Sequence, residues 1–391
     1  MKTIYLDHAA TTPVDSRVLK KMLPYFQDQF GNASSVHRLG QEASQAVEGA
    51  REQAAGFLGA KPEEIIFNSG ATEGNNTVIK TVARLLKKQK GLNHLITSAI
   101  EHHCVLETMQ SLEKEGFKVT YLPVGQQGIV SPEDFRQALT PQTSLASIMY
   151  ANNEIGTIQP IAELARLAKE RRVLFHTDAV QAANYLDCRV NQLGVDYLTL
   201  SAHKFYGPKG VGLIYRRTGA PLTPYLHGGA QENHLRAGTL NVPGIVGLGE
   251  AIALTRSEQA QRSKQAGRLS TRLRVGLTEK IPDLLINGDT KRRLPNNVNI
   301  TIKYVEGESL LISLDLKQIA VSTGSACSSG SLQPSHVILA LGVPKEFSHG
   351  SLRFTVGQDN TLDDIETVIK DLPPIVSRLR KMSPTAPAKY H

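Results

Sequence analysis

The first 215 residues alternate between short apolar runs and helical patterns, and this alternation constrains the fold more than any other feature of the chain. The apolar runs are IIF (65–67), HLITS (94–98), KVTYLPV (118–124), SLASIMY (144–150), VLFHTD (173–178), YLTLS (197–201) and GVGLIYR (210–216). Their length and β-branched or aromatic content predict strands. Between them lie helical stretches: SRVLKKMLPYF behind the capping residue Asp15, SSVHRLGQEASQAVEGAREQAAGFL, residues 73–88, residues 104–115, SPEDFRQAL and PIAELARLAKERR. SPEDFRQAL has Ser131 as N-cap and Pro132 at the first helical position. A strand followed by a helix-length crossover predicts an α/β fold: a mainly parallel sheet covered by helices on both faces. Ligands of such sheets bind beyond the carboxyl ends of the strands.

Residues 244–280 form one long helical pattern that reads as a connector. After it come the apolar segments NNVNITI, LLISLDL and SLRFTV and a terminal helix, DDIETVIKDLPPIVSRLR, which is an α+β pattern. A chain of 391 residues is too long for one small core. We expect a large domain over 15–255 and a smaller α+β domain built from 1–14 and 256–391. The last residues, SPTAPAKYH, read as a loose tail.

Charge and cysteine usage narrow the function classes. The 44 basic and 36 acidic residues leave a formal charge of +8. The densest clusters, KKQK (87–90) and KRR (291–293), read as solvated loops or helix ends, so no nucleic-acid partner is expected. The excess suits anionic ligands or an acidic partner protein. Cys104, Cys188 and Cys327 are odd in number and widely spaced, which predicts neither a disulfide framework nor a zinc site and fits a reducing compartment. MKTIYLDHAATTP has no apolar core of a signal peptide, and no run of about 18 apolar residues exists. A cytoplasmic protein with no membrane partner is the expectation.

Four motifs carry chemistry. In HTDAVQ (176–181), Asp178 ends an apolar run, where a carboxylate suits either a cationic heterocycle or the cap of the next helix; Gln181 can reach the same ligand. In SAHKFYGPKGVG (201–212), Lys204 follows a strand end and is either a Schiff-base lysine or a surface lysine. Its glycines lack the spacing of a phosphate-binding GxxxxGK[ST] loop. In NSGATEGNN (68–76), a strand turns through Gly70 into a helix at Thr72, whose free N–H groups suit a phosphate and equally suit an ordinary helix start. In EHHCVLE (101–107), His102 and His103 offer an aromatic face or are polar loop residues. Taken together, these parts describe a pyridoxal phosphate site.

YLDHAATTP, SGATEGNN, EHHCVL, NNEIGTIQP, HTDAVQ, SAHKFYGPKG, RAGTLNVP, GSACSSGSLQPSHV and SLRFTVG occur in this order. With them the chain resembles the cysteine desulfurases of the NifS/IscS type, class-V members of the fold-type I pyridoxal phosphate enzymes, from about residue 4 to residue 380. The resemblance implies Lys204 as the Schiff-base lysine, Asp178 on the pyridine nitrogen and Gln181 on the ring's phenolic oxygen. It implies His102 stacked on the ring and active in proton transfer. Thr72, Ser201 and His203 would hold the phosphate, with the backbone at Ala71 and Ala202 nearby. Thr239 would reach the phosphate of the neighbouring subunit of a homodimer. Asn153 would contact cofactor and substrate, and Arg353 would bind the substrate carboxylate; alone, an arginine in SLRFTV suits a structural ion pair equally well.

The resemblance further implies conversion of L-cysteine to L-alanine, with sulfur left on Cys327 as a persulfide. A lyase that cleaves C–S bonds, or an aminotransferase, is the alternative on the same fold. Cys327 lies in VSTGSACSSGS, among side chains too small to pack firmly. A carrier that must reach the substrate and then hand sulfur outward needs such a segment, expected over about 321–333. GSACSSGS resembles the family members with the longer loop, and Gln333 stands where relatives usually carry Glu. The implied acceptor is a protein such as an Fe–S scaffold, on which Cys327 would act as a transient cluster ligand; no resident metal is expected. Housekeeping relatives continue past the Ser-Pro into a scaffold-docking segment, so docking through SPTAPAKYH is not expected. Cys104 and Cys188 are expected to be inert.

Overall fold

The computed structural model describes residues 3–323 and 334–391. Among them are twelve strands: β1 (Ile4–Tyr5), β2 (Ile65–Asn68), β3 (His94–Ser98), β4 (Lys118–Leu122), β5 (Thr143–Ser147), β6 (Leu174–Asp178), β7 (Tyr197–Ser201), β8 (Gly212–Arg216), β9 (Leu284–Ile286), β10 (Asn297–Ile302), β11 (Ile319–Ala320) and β12 (Ser351–Thr355). Seven of them form the central sheet in the order β2-β8-β7-β6-β5-β3-β4. The four pairings from β7 to β4 are parallel, and β8 runs antiparallel to both β7 and β2. The sheet is therefore mainly parallel, as the alternation predicts. β2, β3, β5 and β7 are buried along their whole length, the mark of a sheet covered on both faces.

Local signals set most helix ends. Asp15 caps Ser16–Met22 by accepting from Arg17 N, and Ser131 caps Pro132–Ala138 by accepting from Asp134 N. SRVLKKMLPYF does not form one helix, because Pro24 starts a second short one, Pro24–Gln27. SSVHRLGQ enters its helix later than its composition suggests: His37 is the cap and the helix is Arg38–Leu58. The connector is one helix, Val242–Lys280. Its first half, including Ile245 and Leu248, joins the core under the large sheet. Its second half, including Leu269 and Leu273, joins a separate core with β10, β12 and the terminal helix Leu362–Met382.

Three expectations in the C-terminal region need correction. LLISLDL is helical up to its last residue, within Gly307–Asp315: Leu310 and Leu314, one turn apart, are buried while Ile312 is exposed. A short apolar run does not by itself distinguish the two periods. SPTAPAKYH is not loose. Tyr390 donates to Asp283 Oδ2 at 2.5 Å, Lys389 pairs with the same carboxylate at 2.8 Å, and the Arg380 guanidinium lies 4.4 Å from the Tyr390 ring. Within KRR, Arg293 likewise turns inward, donating to the carbonyls of Asp289 and Asn287, and burial lowers its pKa to about 10.

Candidate active site

The carboxyl ends of β6 and β7 deliver Asp178 and Ser201 to one cavity of about 540 Å³. The turns after β2, β3 and β5 add Gly70–Thr72, His102 and Asn153 to its lining. The sheet thus places the site where a parallel α/β topology predicts it. Lys204, Gln181, His203 and Arg353 also line the cavity, so the residues singled out from six motifs meet there. Thr239 is exposed and lies outside the cavity lining. Cys327 and Gln333 lie outside the described residues.

Asp178 is buried, with Oδ1 accepting from Val180 N at 3.0 Å and Oδ2 from Asn75 Nδ2 at 2.7 Å. Lys204 Nζ donates to the carbonyls of Ala9 at 2.6 Å and Ala10 at 2.8 Å. Gln181 Nε2 donates to the same Ala9 carbonyl at 3.0 Å. The segment YLDHAATTP therefore forms one wall, which the motif's order in the sequence does not reveal. Its Asp7 accepts from Arg353 Nη2 at 2.8 Å, and Arg353 Nη1 donates to the Asn153 carbonyl at 3.1 Å. Arg353 is only 3% exposed, and its Nε has no hydrogen-bond partner. A buried guanidinium edge without a partner is costly, and the same guanidinium belongs to the cavity lining, where its planar fork suits an anionic carboxylate.

His102 caps the helix His103–Lys114, its Nδ1 accepting from Cys104 N at 3.2 Å. That leaves the ring proton on Nε2. Burial lowers the His102 pKa, with Lys204 and His103 adding to the effect and Asp178 opposing it, so the ring is neutral at physiological pH. Burial likewise holds His203 down to about 4. Cys104 also lines the cavity, but burial pushes its thiol up to about 12, which fits the expected inertness.

The donors fit a phosphorylated cationic heterocycle. The helix Ala71–Lys90 begins at the cavity, and Gly70 before it has φ of 144°, a conformation that favours glycine. A Cβ there would stand 3.5 Å from Ser201 Oγ, in the space between strand end and helix start. Free N–H groups and hydroxyls on this side suit a phosphate, and the Asp178 carboxylate suits a protonated ring nitrogen.

The flanks of residues 324–333 are fastened beside this cavity. Ser322 exchanges backbone hydrogen bonds with Arg353, at 3.2 and 2.7 Å. On the other side, Ser335 Oγ donates to Glu154 Oε2 at 2.5 Å, and His336 Nε2 donates to the Glu101 carbonyl at 2.9 Å. Glu154 and Glu101 are the chain neighbours of Asn153 and His102. Sequence reasoning assigned no role to Asp7, Asn75, Glu101 or Glu154. Their partners stand far along the chain, so only the quoted motifs containing them gave a signal.

A second cavity of about 590 Å³ lies at the opposite end of the strands, between Lys169, Arg172 and Arg217. Its carboxylates are already engaged: Asp196 with Arg217 and Phe175 N, Glu64 with Thr218 and Lys61 N. It lacks the lysine–carboxylate–imidazole set.

The family model described as aminotransferase class-V matches residues 4–368. A cysteine desulfurase, IscS, of Methanosarcina thermophila is 51% identical over 389 residues, covering 100% of this chain and 96% of that protein. Among solved structures, a NifS-like protein superposes with a TM-score of 0.91 at 40% identity, covering 96% of this chain and 100% of the other. SspA in complex with cysteine superposes with a TM-score of 0.82 at 37% identity, covering 92% and 100%.

Proposed function

This chain belongs to the class-V aminotransferase family and, within it, to the cysteine desulfurases, and from that premise we propose how its residues convert L-cysteine to L-alanine and store the sulfur on Cys327. The cofactor is pyridoxal phosphate, which when bound supplies a protonated ring that draws electrons from the substrate's α-carbon. Thr72, Ser201, His203 and the backbone at Ala71 and Ala202 would hold its phosphate. Asp178 would keep the ring nitrogen protonated, Gln181 would bond the phenolic oxygen, and His102 would cover the ring face. Thr239, exposed and away from its own cavity, would serve the phosphate of a second copy in a homodimer.

Arg353 and Asn153 orient the substrate carboxylate, to which Arg353 offers the N–H groups not spent on Asp7 and the Asn153 carbonyl. Lys204 takes the α-proton at Nζ. Neutral His102 holds a proton at Nε2 for return to the substrate. The Cys327 thiolate attacks the substrate's sulfur: an S–S bond forms, the C–S bond breaks, and the carbon keeps the electron pair and gains a proton. The sum, enzyme thiol plus L-cysteine to enzyme persulfide plus L-alanine, balances without an external oxidant. The observation that carries this reading is the fastening of Ser322 and Ser335 beside Arg353 and Asn153, which brings both flanks of the Cys327 segment to the cavity.

We place the boundary between the large and small domains near residue 255, within the long connector helix that joins both cores. None of the described helices is long and apolar enough to cross a membrane, and the two described cysteines are free thiols. Free thiols suit the cytoplasm, where the sulfur would pass to an acceptor protein such as an Fe–S scaffold, with Cys327 as a transient ligand. The test is intact mass after incubation with L-cysteine and pyridoxal phosphate without reductant. Wild type should gain one sulfur and release alanine, while Cys327→Ala should gain none. Sulfide and pyruvate from both proteins, with no adduct, would replace this reading with a C–S lyase.

A further inference from the structure

Behind Asp178 a buried polar chain leads away from the cavity. Asn75 is fully buried on the helix Ala71–Lys90, and its Nδ2 donates to Asp178 Oδ2 at 2.7 Å. Its Oδ1 accepts from the Thr199 hydroxyl at 2.5 Å. Thr199 Oγ1 stands 3.5 Å from His176 Nε2, and His176 Nδ1 stands 2.8 Å from Ser147 Oγ. Thr199, His176 and Ser147 come from the adjacent strands β7, β6 and β5 and are fully buried.

The donors in this chain all point one way. A carboxylate accepts only, so Asn75 must present its NH2 to Asp178 and its carbonyl oxygen to Thr199. The Thr199 proton is then committed to Asn75, and Thr199 Oγ1 is left to accept from His176 Nε2–H. His176 Nδ1 in turn accepts from the Ser147 hydroxyl. Burial keeps His176 neutral, which this pattern requires. Thr199 thereby fixes the amide of Asn75, and Asn75 fixes one oxygen of Asp178 while Val180 N fixes the other. Cys104 Sγ, 3.2 Å from Asn75 Nδ2, fills the remaining side of the amide.

Resting on the assignment of Asp178 to the cofactor's ring nitrogen, we propose that Asn75 is a positioning residue, held by Thr199, that keeps the Asp178 carboxylate aimed at that nitrogen. An opposite charge close by favours the protonated ring nitrogen, and a carboxylate with both oxygens held cannot turn away from it. Replacing the donor by an apolar group of similar size leaves Asp178 Oδ2 unheld and lets the carboxylate turn away from the ring nitrogen.

The test uses protein loaded with pyridoxal phosphate labelled with ¹⁵N in the ring, whose NMR shift reports ring protonation directly. Equilibrium dialysis gives cofactor retention. In wild type the ring nitrogen should stay protonated well into the alkaline range. In Asn75→Leu the midpoint of its deprotonation should fall by roughly one to two pH units, and retention should weaken. Thr199→Val removes only the hydroxyl that orients the amide. It should shift the midpoint in the same direction by less, and it serves where Asn75→Leu does not fold. Wild-type midpoints in both variants would overturn the role of Asn75 while leaving Asp178 in place. An unprotonated ring nitrogen in the wild type itself would overturn the assignment of Asp178 and the proposal with it.

Discussion

Arg353→Lys keeps the positive charge and removes the planar fork. In the wild-type protein the guanidinium donates one Nη2–H to Asp7 and one Nη1–H to the Asn153 carbonyl, and its remaining N–H groups serve the substrate. A lysine ammonium is a single centre that cannot occupy these three positions at once. Asp7 is the nearest anion, so the ammonium stays there and folding loses little, about 1 kcal/mol for the bond to the Asn153 carbonyl. The substrate carboxylate loses one charge-assisted hydrogen bond of about 1.5–3 kcal/mol. At about 1.4 kcal/mol per tenfold, kcat/KM for L-cysteine falls roughly 10-fold to 150-fold. The carboxylate takes no part in bond breaking, so the loss belongs in KM, with kcat close to wild type. Initial rates of alanine formation across L-cysteine concentrations, with a thiol reductant present, measure both constants. An unchanged KM would refute the assignment of Arg353 to the substrate and leave it a structural partner of Asp7.

Gly70→Ala imposes a side chain at φ of 144° and should lower stability by about 1–3 kcal/mol, seen as a lower melting temperature of the cofactor-free protein. It should also weaken cofactor retention on dialysis; unchanged retention would remove Gly70 from the phosphate cradle. Burial raises the Glu101 carboxyl to about 8, so the folded chain keeps a proton that the unfolded chain releases from about pH 4.5 upward. The stabilisation is complete below that pH and is lost as pH rises to about 8, and Glu101→Gln should flatten the fall in melting temperature over this window. Glu154, raised by burial to about 7, retains part of the slope in that variant, and equal slopes in variant and wild type would show that Glu101 is ionised throughout.

Much of the site is legible because its chemistry is local. HTDAVQ sets Asp178 at a strand end and SAHKFYGPKG sets Lys204 just past the next one, so strand periodicity alone predicts that both face the same edge of the sheet. Ser131 and Asp15 mark helix starts through bonds to residues two or three away, and Pro132 by its fixed φ at the first helical position, which a linear reading captures. The apolar run LLISLDL carries no such local mark, since neither a cap nor a clear period separates helix from strand.

From its linear pattern alone the chain shows the alternating strands and helices of the large sheet, the edge of that sheet that binds, and the kinds of side chain gathered there. Only the tertiary structure decided how those side chains are held. Asp7 reaches Arg353 across 346 residues, and Asn75 reaches Asp178 across 103. Each pairing depends on two elements packing in one register around a shared core, and burial then makes an unpaired polar group costly enough to fix the partner. Such a partner is chosen by the space it shares with its neighbour, and no spacing along the chain encodes it.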